Sequence, residues 1–189
     1  LNYTVTALRM AKRANGVSQL HGEVSGKMWS DRKNICEITA ITNAQNRTYW
    51  HDPELSRALE SNDDQALANR KKDLKHKLFR LVANQTGKLF NENVLTIVWA
   101  RRFAAYKRAN LILSDFNRFL KIAKNKNYPI QMIWAGKPYP EDFGAINIFN
   151  EIYWKTKDLA NCTVVTGYEL WLSAHLKKGS DVWLNNPRL

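Results

Sequence analysis

Four cations and a phenol crowd into one short stretch, Ala100-Arg101-Arg102-Phe103-Ala104-Ala105-Tyr106-Lys107-Arg108. Guanidinium groups grip phosphate oxygens through paired N–H donors, and a lysine adds a compact point charge. The stretch follows the apolar run Val94-Leu95-Thr96-Ile97-Val98-Trp99, which reads as a strand, and it leads into a segment near 107–125 that reads as a helix. A helix N-terminus there would add further positive potential. Two readings are open on the residues alone: an anion site at the end of a strand, or surface charges around a loop. Tyr106 favours the site, because it offers a hydroxyl and a flat face to a sugar.

The elements that must position this stretch form an alternating series. Pro129-Ile130-Gln131-Met132-Ile133-Trp134, Thr163-Val164-Val165 and Asp181-Val182-Trp183-Leu184 are further strand candidates, and the segments near 143–159 and 169–178 read as helices. Near-continuous apolar strands joined by helices predict an α/β fold with a Rossmann-like parallel sheet covered on both faces. Ligands of such sheets bind beyond the carboxyl ends of the strands, so the loops at Arg101-Arg102, Ala135-Gly136-Lys137 and Gly167-Tyr168 are where chemistry is expected. No G-x-G-x-x-G or Walker A spacing is present, and Gly136-Lys137 lacks the flanking residues of a phosphate loop.

A helical segment precedes the series. Apolar positions from Val5 to Met28 recur at helical spacing with an interruption at Asn15-Gly16, which predicts helix, turn, helix. Ile35 to Thr42 reads as an extended strand and Asn43 to Trp50 as an ordered loop. Asp52 as N-cap and Pro53 at the first helical position open the next helix. Another starts at Ser61-Asn62-Asp63-Asp64, runs to about Asn84 and stops at Gly87.

The formal charge of +12 over 189 residues favours polyanions or phosphorylated ligands. Much of it lies in Arg70, Lys71, Lys72, Lys75, Lys77 and Arg80, whose spacing distributes cations around a helix; it reads as a solvated helix face rather than a nucleic-acid surface. Cys36 and Cys162 have no CxxC spacing, which fits a reducing compartment and supports neither a disulfide framework nor a metal site. With no signal peptide or apolar span in view, a soluble, cytoplasmic protein is expected.

The cationic stretch resembles the strand-to-helix loop of the α-glucan (glycogen) phosphorylases, which has the form basic, Arg, aromatic or Ile, two variable residues, Tyr-Lys-Arg. Other segments resemble the same family in order and spacing. Ala14-Asn15-Gly16-Val17-Ser18-Gln19-Leu20-His21-Gly22-Glu23-Val24-Ser25 is similar to its VNGVSxLHxxVS segment. Ile41-Thr42-Asn43 with the later Trp50 is similar to its TNG element and downstream tryptophan. Ala135-Gly136-Lys137 and Asp181-Val182-Trp183-Leu184-Asn185-Asn186-Pro187-Arg188 resemble the bacterial-type members. The departures are Ala44 where the family has glycine, the loop Gln45-Asn46-Arg47-Thr48, and Glu169 where some members are basic.

The resemblance implies an internal part of a two-domain, GT-B-type glycosyltransferase fold. Residues 1–42 would be a mostly helical remnant of the N-terminal domain, and 43–189 part of the C-terminal Rossmann-like domain. It implies phosphorolysis of α-1,4-glucan by inorganic phosphate to glucose 1-phosphate, with pyridoxal phosphate as cofactor. By the same resemblance, Arg102 and Lys107 would bind the substrate phosphate, and Asn43, Tyr106 and Val17 would line the sugar site. Arg101, Trp50 and Tyr168 would contact the cofactor. The likeness ends at Leu189, before the family's Glu-Ala-Ser-Gly-Thr element and the lysine that bonds the cofactor, so this stretch alone is expected to have little activity. A dimer is compatible with the resemblance, and neither nucleic acid nor membrane is an expected partner. A nucleotide-sugar-dependent glycan synthase of similar architecture and a glucan- or polyanion-binding module remain as alternatives.

Overall fold

A computed structural model of the chain describes residues 2–186. The chain divides into two compact units, Leu1–Trp50 and His51–Leu189. The division lies beyond the 42/43 boundary expected from the sequence, and backbone hydrogen bonds account for the difference. Ile41 N–H donates to the Gly16 carbonyl at 2.9 Å and Asn43 N–H to the Val17 carbonyl at 3.0 Å, which holds residues 41–43 to the first unit.

In the first unit, α1 (Tyr3–Met10) is followed by β1 (Ala14–Gly16), α2 (Gln19–Met28), β2 (Ile38–Ala40) and the single turn α3 (Arg47–Trp50). The interruption at Asn15-Gly16 is therefore a strand and not a turn, for β1 pairs in parallel with β2 from Ala14 opposite Ile38 to Gly16 opposite Ala40. Gly16 is required there by close approach: a Cβ would sit 2.4 Å from the backbone nitrogen of Gly22. The long strand expected over 35–42 shortens to three residues, since β1 offers no longer partner. Ser18 caps α2, accepting from His21 N–H at 3.1 Å.

The second unit begins with two helices, α4 (Pro53–Glu60) and α5 (Asp64–Thr86). Asp52 caps α4 with Pro53 in its first turn, Asp63 caps α5, and Gly87 ends α5 at φ 70°, as the sequence predicts. Then follow β3 (Leu95–Ala100), α6 (Phe116–Ala123), β4 (Ile130–Ala135), α7 (Phe143–Thr156), β5 (Cys162–Val165), α8 (Leu170–Gly179) and β6 (Val182–Trp183). The sheet is all parallel in the order β5-β4-β3-β6. The chain thus builds outward from β3 through β4 to β5, then returns to the opposite edge of β3 for β6.

Period-two alternation sorts the side chains of these strands onto two faces. Val98, Ala100, Ile133, Ala135 and Val165 join Leu78, Phe79 and Val82 of α5 and Leu172 and Leu176 of α8 in one core. Trp99, Met132, Trp134 and Cys162 join Phe119 of α6 and Ala145 and Ile152 of α7 in the other. The result is a three-layer α/β arrangement in which both faces of β3 and β4 are buried. Burial holds the Cys162 thiol at about 12, so it is inert as a nucleophile.

The basic run on α5 is not simply solvated. Arg70 meets Asp52 in a bidentate pair, Nε to Oδ1 at 3.0 Å and Nη2 to Oδ2 at 2.8 Å, and also reaches Glu54 at 3.2 Å. Lys75, only 5% exposed, donates to the Val94 carbonyl at 2.7 Å and to Asp181 at 2.6 Å, while Asp181 accepts from Thr96 N–H at 2.8 Å. Lys71 donates to the carbonyls of Lys178 and Ser180. Lys71 and Lys75 tie α5 to the amino end of β6, because an amphipathic lysine buries its stem and needs acceptors for its ammonium, while Arg70 ties α5 to the start of α4. No described helix is long and apolar enough to cross a membrane.

The Arg70 guanidinium holds the Asp52 carboxyl at about 2, well below its ordinary 3.8. A depressed carboxyl stabilises the folded state above its unfolded value and ceases to do so as pH falls through its folded value, here a contribution of about 2 kcal/mol at neutral pH. Asp52→Asn keeps the helix cap but loses the ion pair. Urea unfolding of wild type and variant is expected to differ by about that amount at pH 7, with the gap closing between about pH 4 and pH 2.

Candidate functional site

The chain passes from β3 to β4 and β5 on one side and comes back to β6 on the other, so the strand order reverses between β3 and β6, a switch point beside which such sheets bind ligands beyond the carboxyl ends of their strands. The cationic stretch starts there. Arg101 N–H donates to the Ala135 carbonyl at 3.0 Å and Phe103 N–H to that of Lys137 at 3.2 Å, so the β3–β4 pairing carries on past both strands. Phe103 is buried against Trp99 and Phe149, with ring centroids 5.0 and 5.2 Å away. With Phe103 anchored inward, Arg102 is left exposed and Arg101 half-buried.

Gly136 makes this approach of the two loops possible. Its φ is 147°, and a Cβ there would lie 2.0 Å from the Arg101 carbonyl oxygen. Gly136 does not belong to a phosphate loop, then; its role is to let the backbone of Arg101 pass.

The long helix expected near 107–125 is not formed. In its place are two 3-10 turns, Ala105–Lys107 and Leu111–Leu113, before α6 begins at Phe116. No α-helix N-terminus therefore adds its potential directly behind Arg101 and Arg102; the positive field comes from the side chains. The helix is broken where Arg108 takes the left-handed conformation, φ 51° and ψ 48°. Tertiary hydrogen bonds impose that geometry: Arg108 Nε donates to the Asn186 carbonyl at 2.8 Å, and Asn186 Nδ2 donates to the Arg108 carbonyl at 3.0 Å. The Trp134 indole, wholly buried, donates to the Ala109 carbonyl at 3.0 Å.

The first 3-10 turn presents Tyr106 and Lys107 beside Arg102. Lys107 Nζ lies 5.6 Å from the centroid of the Tyr106 ring. Burial lowers the Lys107 ammonium below its ordinary value, Tyr106 opposes this, and Arg101 and Arg102 add to the lowering. Lys107 and, behind it, Arg102 lower the Tyr106 phenol in turn. Three cations thus repel one another in one place, and among the described residues none of Arg101, Arg102 and Lys107 is ion-paired with a carboxylate. An anion would relieve that repulsion, and bidentate guanidinium geometry suits phosphate oxygens.

Tyr168 lies at the same edge of the sheet. Its hydroxyl donates to the Ala100 carbonyl at 3.3 Å and meets Ser173 Oγ at 3.1 Å, while its ring packs on the core. It braces the end of β3 immediately before Arg101. Of the remaining sequence-predicted residues, Val17, Asn43 and Trp50 belong to the first unit. Val17 and Asn43 are joined by the backbone bond described above, and Val17 N–H donates to His21 Nδ1 at 3.1 Å. Trp50 meets Tyr49 edge to face at 4.9 Å. Ala44 is not among the described residues of positive φ, so alanine sits there without backbone strain.

Asn185 and Asn186 lie within the 181–188 motif without a role evident from the sequence, and Trp99 and Trp134 stand near the ends of their strands. The signal was present: an indole N–H at the end of a fully apolar strand must find an acceptor. Trp99 finds it in Asn186 Oδ1 at 3.1 Å, and Arg101 Nη1 finds Asn185 Oδ1 at 2.5 Å. The motif's Pro187-Arg188 lies outside the described residues.

No family model matches the chain. It is 54% identical over 188 residues to an uncharacterized protein of Methanocaldococcus jannaschii, an alignment that covers 100% of this chain and 36% of that protein. It is 30% identical over 232 residues to a glycogen phosphorylase of Aquifex aeolicus, covering 98% of this chain and 33% of the relative. It is 29% identical over 228 residues to a maltodextrin phosphorylase of Thermococcus litoralis, covering 99% and 27%. The chain spans about a third or less of the length of these relatives. The resemblance read from its motifs thus extends over almost the whole chain, which is related to one segment of the glycogen and maltodextrin phosphorylases. Its parallel sheet flanked by helices agrees with a Rossmann-like portion of such a fold.

Gly136→Ala must push the Arg101 carbonyl aside and strain the backbone at a positive φ, so it is expected to destabilise the fold by about 2 kcal/mol. Urea unfolding of variant and wild type checks this; equal stability would show that the Arg101 backbone gives way without cost.

Proposed function

We propose that this chain supplies the phosphate-gripping part of an α-1,4-glucan phosphorylase. Such an enzyme transfers the terminal glucosyl unit of glycogen or maltodextrin to inorganic phosphate and releases glucose 1-phosphate. The observation that carries this reading is the cluster of Arg101, Arg102 and Lys107 at the switch point beside the Tyr106 phenol, with no carboxylate paired to its cations among the described residues. The cluster by itself supports only an anion; the relatedness to glycogen and maltodextrin phosphorylases supports the chemical class.

In this reading Arg102, exposed at the mouth of the loop, grips the phosphate bidentately, and Lys107 adds a point charge from the turn behind it. A bound dianion favours the charged ammonium and so offsets the lowering that burial imposes on Lys107. Tyr106 offers its exposed ring and hydroxyl to the glucosyl unit, and the resemblance assigns Asn43 and Val17 to the sugar as well. Arg101, Trp50 and Tyr168 are the residues the resemblance assigns to pyridoxal phosphate. Arg101 follows the end of β3 and Tyr168 bonds the Ala100 carbonyl at that same end; the phosphate group of the cofactor, when bound, would supply a proton relay beside the substrate phosphate. The proposal includes a cytoplasmic location, with α-1,4-glucan and inorganic phosphate as ligands. It also assigns the two units, Leu1–Trp50 and His51–Leu189, to the ends of two domains, in place of the 42/43 division expected from the sequence.

The full-length protein, loaded with pyridoxal phosphate, is expected to release glucose 1-phosphate from glycogen or maltodextrin in phosphate buffer. Arg102→Ala is expected to lower that rate by about a hundredfold or more, the usual consequence of removing one donor to transition-state charge. An unchanged rate in the variant would remove Arg102 from the site. A wild-type protein that is silent in this assay but binds ADP-glucose or UDP-glucose would move the reading to a nucleotide-sugar-dependent glycan synthase.

A further inference from the structure

The carboxyl end of β6 carries two neutral amides that cross the switch point to the cationic loop. Asn185 Oδ1 accepts from Arg101 Nη1 at 2.5 Å. Asn186 is engaged through three groups: its Oδ1 accepts from Trp99 Nε1 at 3.1 Å, its Nδ2 donates to the Arg108 carbonyl at 3.0 Å, and its own carbonyl accepts from Arg108 Nε at 2.8 Å. Arg108 in turn closes the first 3-10 turn, donating from its backbone N–H to the Ala105 carbonyl at 3.1 Å. A left-handed conformation is unfavourable for a residue with a Cβ, and it persists where surrounding bonds over-determine it. The bonds from Asn186 do so here, and the turn they hold is the one that presents Tyr106 and Lys107.

The chemical identity of the two residues matters as much as their position. An aspartate at 185 would bond Arg101 at least as firmly, yet its charge would cancel that of the guanidinium and lower the attraction of the loop for an anion. An amide holds the cation in place and leaves its charge available. We propose that Asn185 and Asn186 are positioning residues, a charge-neutral clamp that sets Arg101 directly and Lys107 through the Arg108 turn. This inference rests on the reading of the cluster as the phosphate site and deepens it by naming what orients its cations.

The test uses the full-length protein with inorganic phosphate as the probe. Its readouts are the phosphate Kd by calorimetry, the split between KM for phosphate and kcat, and thermal stability. Asn185→Asp is expected to keep the fold and its melting temperature while raising the Kd and KM for phosphate by about tenfold, since the added charge opposes the anion. Asn186→Ala is expected to weaken phosphate binding, and adding Arg108→Gly to it should restore part of the affinity, because glycine adopts the left-handed turn freely. Wild-type phosphate affinity in Asn185→Asp, with binding still lost in Arg102→Ala, would overturn the clamp and leave the phosphate site standing. Wild-type protein that binds no phosphate, with Arg102→Ala without effect, would overturn both.

Discussion

β3 is hydrogen-bonded along both of its edges, to β4 on one side and β6 on the other, and the rest of the second unit is arranged about that double pairing. Its register sets Trp99 opposite Trp134 and Ala100 opposite Ala135, so the two strands finish level and their following loops meet. Its alternating side chains divide the buried residues between two cores. Its neighbours lie on opposite sides, so the strand order reverses between β3 and β6, and Arg101 and Arg102 follow directly on the end of β3.

The charge of the molecule separates into cations that hold the fold and cations that, among the described residues, have no carboxylate partner. Arg70, Lys71 and Lys75 on α5 are used up by carboxylates and by backbone carbonyls; Arg70 fastens the start of α4, and the two lysines secure the amino end of β6. Lys88 is spent likewise, donating to the carbonyls of Lys157, Leu159 and Cys162 at 2.8, 2.9 and 2.6 Å at the end of α7. Arg101, Arg102 and Lys107 are held differently, by an amide, a phenol and a turn. Neutral anchors fix the geometry without quenching the field, which is the condition for an anion site. The two sets are linked: the lysines that fasten one end of β6 support the strand whose other end carries Asn185 and Asn186.

Most of the architecture is legible along the chain. The four strands of the larger sheet, the caps at Asp52 and Asp63 and the stop at Gly87 follow from apolar runs, short-range capping and the left-handed preference of glycine. Expectation and structure part where a long-range bond overrides a local pattern. Residues 107–125 carry helical spacing, but the Arg108 and Ala109 carbonyls are drawn away to Asn186 and Trp134, and two 3-10 turns result. Asn15-Gly16 carries a turn signal, but β2 supplies a strand partner and α2 packs on the bare glycine. The run on α5 looks like a solvated face because nothing local reveals that Asp181, more than a hundred residues on, waits for Lys75.

The sequence alone determined most of the strands and helices and the loop in which the cations cluster, because these depend on periodicity, capping and side-chain chemistry within a few residues. Tertiary structure decided the switch point, the need for Gly136, the neutral anchoring of Arg101 and the turn that turns Lys107 toward Arg102. Each of those depends on residues far apart in the chain meeting across parallel strands, and hydrogen bonds between such residues leave no periodic trace in the order of amino acids.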